Sequence, residues 1–394
     1  LEPARKNKKN STMTIPRSKR KAIFLTLLSL LFDPGTARGS LHQVIGRGVE
    51  RLFVSNKENE VDCDSSLLKY LKEQAQQLPN GYSDYEDMHD KEYNIPELIK
   101  DFKVHVDNSA NEKFGPDGRF THEVEERFKR SQDFWMKAGV DTSNIVVKGM
   151  HGEDFSRSSS NLEDTLSHLN SGGGSVASRA EEIRTFIESL PDKYGNPLLT
   201  FKSKVHKAEN SWDPDIILIG DGALEFQLSY CNLGDKSAEF EFAFMFAKLL
   251  VEREGLPELS PDESNTRRHM RWELMETVLG AYFLAHEYGG GFEGTDCCIL
   301  HHTAYAWGDC NEASGVETGH GDPEQRECAA IYGVNLATRP HLKHAILDPK
   351  MIQVLFDNYF EDILAKDPSM CYHDPNHNME PKVMPCTQSS CPMI

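Results

Sequence analysis

The sequence contains no Walker A motif and no glycine-rich phosphate loop leading from a strand into a helix, so phosphoryl transfer and dinucleotide chemistry have no cradle here. The Gly-Asp-Gly-Ala-Leu stretch at 220–224 has no Ser at an elbow position, which removes the α/β-hydrolase nucleophile. No Cys-x-x-Cys pair occurs, and with it goes a zinc ribbon. Beyond residue 39 there is no Asn-x-Ser/Thr acceptor, so no N-linked glycan is expected on that part. Internal repeats are absent, which excludes a solenoid or a propeller. Long apolar runs are absent as well: residues 22–32, the most apolar segment, fall short of the roughly 20 residues that cross a bilayer as a helix.

Positive charge is also scarce, with 43 Lys and Arg against 62 Asp and Glu and a net charge of −19. That balance argues against nucleic acid and anionic membrane surfaces as partners. Residues 1–21 are basic and polar, and they stand ahead of the apolar segment 22–32 and of small residues at 37–40. The order positive, apolar, small predicts a secretory signal and a secreted or lumenal protein with no transmembrane span once it is removed. An uncleaved anchor, or an extension of residues 1–12 ahead of a start at Met13, are the other readings. Loss of residues 1–39 removes nine Lys/Arg and two Asp/Glu and moves the charge from −19 to about −26. In an oxidising compartment several of the nine cysteines would pair, and the odd count leaves at least one over. Cys298 and Cys310 are expected partners for each other, or for Cys297 or Cys328.

What is present is an ordinary globular composition, 38% hydrophobic and 27% charged over 394 residues, enough for one large domain or two small ones. The pattern divides into residues 1–39, an N-terminal region at 40–119 with short helices and loose packing, a main domain at 120–340, and a C-terminal helix with a cysteine-containing tail at 341–394. The Ser- and Gly-rich stretch 156–182 predicts a flexible loop. Residues 120–139 predict a helix with Thr121 as its cap, and 143–150 a strand. Residues 215–226 predict a buried strand, a tight turn and a helix entry. Helices follow at 238–252, 266–287, 296–307 and 349–365. Isolated strands among many helices give an α+β fold.

The informative stretch is AEFEFAFMFAKLLVERE, at 238–254. A His-Glu-x-x-His helix binds zinc through two histidines on one face, with the intervening Glu as base on the metal-bound water and a third ligand from a later helix. Glu241 stands at the base position here, while Phe240 and Phe244 stand at the two histidine positions. Glu273, in RWELMETVLGAYF, stands where the third ligand would be. GDGALEF precedes this helix, GAYFLAH and GDC follow it, and GHGDPEQRECAAIYG closes the set at 319–333; MHGED (150–154) and NPLLTF (196–201) are further supports.

In this order the motifs resemble those of the neutral zinc metallopeptidases, a zincin-like family, over roughly residues 120–337. The resemblance implies a mainly helical zincin-like domain with a small sheet, Glu241 as the vestigial base, Glu273 as the vestigial third ligand, and His320, Gln325 and Arg326 as the late family motif with Asp322 and Glu324 inside it. Both zinc histidines are replaced by Phe, and Thr277 replaces the acid four residues after the ligand Glu. One carboxylate cannot hold zinc where about three protein ligands are required. The resemblance therefore points to a secreted, metal-free pseudoenzyme that binds or scaffolds a protein or peptide ligand. A hydrolase with a rearranged zinc site, drawing on His286, His301, His302, His320 and Glu273, or with a metal-free pair of Glu241 and His320, is one alternative; an acidic extracellular structural protein is the other. Two Phe rings at i and i+4 can fill the vacated space, but Glu241 in so apolar a helix then needs Arg267, Arg268 or Arg271 as a partner, or a raised pKa.

Overall fold

The computed structural model describes residues 65–89, 94–107, 109, 112–169, 175–210, 212–257, 263–309 and 321–365. All of them belong to one compact unit, Val44–Ile394. The expected signal segment, Cys310, His320 and the cysteine-containing tail lie outside the described residues.

A three-stranded sheet divides two cores. Its strands are β1 (Ile145–Met150), β2 (Lys204–His206) and β3 (Asp215–Gly220), in the order β1-β3-β2. β3 is central, parallel to β1 with Ile145 opposite Asp215, and antiparallel to β2 with Lys204 opposite Leu218. Side chains alternate across a strand. Accordingly Ile217 and Ile219 enter one core while Ile216 and Leu218 enter the other. Burial on both faces is why DIILIG is an unbroken apolar run rather than an alternating one.

The second core holds α1 (Ser66–Gln77), α2 (Tyr82–His89), α3 (Ile95–Asp101), α5 (Ser159–His168) and α6 (Val176–Ser189). Tyr70 of α1 packs its ring on Phe201 and Phe226 at 5.3 and 5.1 Å, so this part of the N-terminal region is bound tightly into the core and not loosely attached. The reading of 156–182 as a flexible loop is corrected. Two of its serines are caps: Ser158 accepts from the Ser160 amide at the start of α5, and Ser175 from the Ser178 amide at the start of α6. Leu162 and Leu166, four apart, and Ala180, Ile183 and Ile187 supply the buried helical faces. Only 170–174 of that stretch lies outside the described residues.

The first core holds α4 (Thr121–Lys137), α8 (Lys236–Glu254), α9 (Asn265–Ala285), α10 (Thr295–Ala306), α11 (Pro323–Thr338), α12 (Pro349–Asp357) and α13 (Phe360–Leu364). The turn after β3 carries the short α7 (Asp221–Glu225). Thr121 does not cap α4; its hydroxyl donates to the Gly118 carbonyl at 2.7 Å and holds the preceding turn. α8 is apolar nearly all round because helices and the sheet cover it on every side. It ends at Gly255, whose φ of +65° suits a residue without a Cβ. α9 is the hub. A Cβ on Gly280 would meet the Phe244 backbone at 3.3 Å, and one on Gly333 the Val278 carbonyl at 2.4 Å, so α8 and α11 approach α9 backbone to backbone. The result is an α+β fold, mostly helical, with a small sheet. No helix among the described residues is long and apolar enough to cross a membrane.

Candidate functional site

The motif residues gather where α8, α9 and α11 meet. Phe240 and Phe244 lie one turn apart on α8, 1% and 8% exposed, with rings 6.1 Å apart and inclined by only 10°. Over the Phe244 ring, at 4.9 Å, lies the guanidinium of Arg326 from α11. The same guanidinium donates through Nη1 to Glu273 Oε2 at 3.2 Å. The other oxygen of Glu273 faces Lys248 Nζ at 3.4 Å, and Lys248 also reaches Glu276 Oε2 at 3.4 Å. Thus the Glu273 carboxylate is held between two side-chain cations.

Glu241 sits on another side of α8 and is 2% exposed. Gln227 Nε2 donates to its Oε2 at 2.7 Å, and Ser203 makes a second side-chain hydrogen bond. Ser203 Oγ in turn accepts from the Gly220 amide at 3.1 Å, so the carboxyl ties α8 to the end of β3. Burial raises the Glu241 pKa above the ordinary carboxylate value, against those two donors and the charge of Arg326. The expected arginine partners from α9 are not what holds it: Arg267 and Arg271 pair with Glu263, and further with Glu361 and Asp357.

The electrostatics are those of a closed ionic network. Burial pushes Glu276 up to about 8 despite Lys248. It works against the charge of Lys248 as well, but Glu273, Glu276 and Glu252 outweigh it and hold that pKa above its ordinary value. Lys202, beside β2, is lowered to about 8 by burial, with Lys204 adding to the effect and Glu273 and Asp309 opposing it. Glu273, Glu276, Lys248 and Arg326 therefore share the place where the resemblance implies a metal.

The late motif has structural work. Asp322 Oδ1 accepts from the Gln325 amide at 2.9 Å and Gln325 Oε1 from the Asp322 amide at 3.0 Å, a capping box that starts α11. Gln325 Nε2 also donates to the Leu364 carbonyl at 3.1 Å and fastens α13. Glu324 is exposed on the first turn. Thr277 turns back on its own helix, donating to the Glu273 carbonyl at 2.9 Å.

The residues present do not fit zinc. Both histidine positions are apolar, Glu273 is paired with cations, and no three His, Cys, Asp or Glu side chains among the described residues group as a metal site. The rearranged site is not assembled from the described histidines. His286 Nε2 donates to the Ala345 carbonyl at 3.3 Å and its Nδ1 accepts from the Tyr288 amide at 3.2 Å, while its ring packs on Phe134. His301 is 2% exposed on α10 and its Nε2 has no hydrogen-bond partner among the described residues. Cys297, offered as a bridge partner, is instead a buried free thiol directed at the Phe292 carbonyl at 3.4 Å.

Burial, aided by His302, lowers the His301 pKa from 6.5 to about 4. The unfolded chain therefore binds the extra proton first, so the contribution of neutral His301 is complete above pH 6.5 and is lost as the pH falls towards 4. At 1.36 kcal/mol per unit this is about 3 kcal/mol. Urea unfolding of wild type and His301→Leu at pH 7 and pH 4 tests it: the stability difference between them is expected to move by about that amount in favour of the variant at low pH. A constant difference would mean His301 reaches solvent in the folded state.

Sequence reasoning missed Lys248, Lys202, Glu276, Gln227 and Ser203. One signal was available: Lys248 continues the 240/244 face of α8 by a further turn, and Glu276 lies three residues beyond Glu273 on α9. No family model, curated protein or solved structure matches the chain.

Proposed function

We propose that the chain is a zincin-like protein whose metal centre has been rebuilt as an ion-pair network, and that it acts by binding a protein or peptide rather than by hydrolysis. The observation that carries this reading is the state of Glu273, held between Lys248 and Arg326 with Arg326 stacked on the Phe at one lost histidine position. A metallopeptidase base must face a water that a metal has acidified. Glu241 is instead closed in by Gln227 and Ser203. The two cations supply the positive charge that a metal would bring, but fixed in side chains and already neutralised by carboxylates, so they offer no open coordination position for a substrate carbonyl. The secreted placement rests on the basic and apolar segments at the start of the sequence.

The test is elemental analysis of the purified full chain after growth in zinc-supplemented medium, with a peptidase assay on unfolded protein substrates. No stoichiometric zinc and no cleavage above background are expected. One zinc per chain, lost together with activity in Glu273→Gln, would overturn the proposal.

A further inference from the structure

Three stretches that the sequence singled out, 150–154, 196–201 and the turn at 220–226, converge on a cavity of about 150 Å³ that shares no residue with the site above. Its walls are built by glycines. A Cβ on Gly152 would meet the Tyr194 carbonyl oxygen at 2.2 Å, one on Gly220 that of Thr200 at 2.1 Å, and one on Gly222 that of Pro197 at 1.9 Å. Segments 194–200, 150–152 and 220–222 are therefore pressed together backbone on backbone, and the cavity is preformed.

A buried His–Asp pair locks it. His151 Nδ1 lies 2.7 Å from Asp221 Oδ2, and Nε2 lies 3.1 Å from the Lys113 carbonyl oxygen, to which it can only donate. Both nitrogens are thus engaged, which leaves His151 without a free lone pair to serve as a base. Burial alone would lower its pKa, but Asp221 raises it, so Nδ1 and Oδ2 hold a proton between them. Asp221 Oδ1 is buried with no hydrogen-bond partner among the described residues.

The remaining wall charges are unequal. Asp117, Glu153 and Glu225 line the cavity together with Lys113 and Arg157, and Arg157 Nη1 is tied to Asp154 at 2.9 Å. Glu225 is held above its ordinary pKa by burial and by Asp192 and Asp221, against the charge of Arg119. Such a wall disfavours anions and favours a cation. It lacks the converged donor set of a metal site, since none is found among the described residues. Size narrows the choice further, because a cavity near 150 Å³ holds about one benzene ring.

We propose that this cavity binds the cationic end of an organic ligand, an alkylguanidinium or alkylammonium group, either free or carried on a basic side chain of a peptide, with Glu225 as its acceptor. The fork of a guanidinium matches the two oxygens of one carboxylate.

Calorimetric titration of the full chain with methylguanidinium, butylammonium, a short peptide with one internal Arg, and inorganic phosphate tests this. Saturable binding of a cation is expected, weakened about tenfold or more in Glu225→Gln, whose melting should match wild type because Glu225 stands outside the His151 clamp. A peptide that binds about tenfold tighter than methylguanidinium identifies a peptide side chain as the source; equal affinity identifies a small free cation. No saturable binding of any cation at millimolar concentration, undiminished binding by Glu225→Gln, or binding of phosphate instead would each overturn the proposal. None of these outcomes depends on whether the chain binds zinc.

Discussion

Replacing Arg326 by Ala is expected to lower folding stability by about 3–5 kcal/mol, as breaking a buried ion pair from one side does. The guanidinium is 3% exposed, and it neutralises Glu273, lies over Phe244 and acts electrostatically on Glu241 and Glu276. Removing it leaves Lys248 alone among buried carboxyl groups, so they must either lose their charge or draw in water. Arg326→Lys keeps the charge but gives up the guanidinium over the Phe244 ring and should fall between the two. The double variant Arg326→Met with Glu273→Leu removes both partners and is expected to recover most of the loss, because desolvation is then no longer charged to either ion. Urea titrations of the four proteins decide the matter. A wild-type midpoint for Arg326→Ala would mean the network contributes nothing and that its carboxyl groups are already hydrated.

Placing histidines at positions 240 and 244 is the second large effect. Phe240→His and Phe244→His are each expected to cost about 2–4 kcal/mol, through lost apolar contact and a buried ring nitrogen without a partner. Phe240, at 1% exposed, should be the costlier. Added zinc is expected to return less than about 1 kcal/mol to the double variant, since binding can stabilise only as far as the site is available. The third ligand is not available: Glu273 is already engaged by Lys248 and Arg326, and Thr277 spends its hydroxyl on the helix backbone. Thermal unfolding with and without zinc gives the answer. Unchanged melting of the double variant would place the two rings in solvent, and full rescue by zinc would show that Glu273 leaves its cations readily.

The two experiments probe one idea from opposite ends. If the cations have replaced the metal, taking a cation away should unfold the protein and bringing ligands back should not recreate a metal centre. A protein that tolerated the first and bound zinc after the second would have kept its old site in working order beneath the substitutions.

Much of this was decided locally and could be read along the chain. DIILIG could only be a strand buried on both faces, and the run from 238 to 254 only a helix covered all round, because each pattern leaves no face for water. That Phe240 and Phe244 supply no metal ligand needs no coordinates either, since no rotamer of Phe binds a metal. Local chemistry misled at 156–182, where Ser158 and Ser175, in a stretch with the composition of a linker, are helix caps, and a cap differs from a linker only in whether apolar residues beyond it find a core. Tertiary structure alone decided which charges meet beside Phe240 and Phe244. Lys248, Glu273 and Arg326 lie 25 and 53 residues apart in sequence and meet only where α8, α9 and α11 pack. The same holds for Gln227 and Glu241, and for His151 and Asp221, whose pairing across 70 residues closes the second cavity. Periodicity reports which face of an element is buried, but the pairing of charges within that buried face depends on which other elements arrive there, and that is settled by packing and the cost of leaving a charge alone.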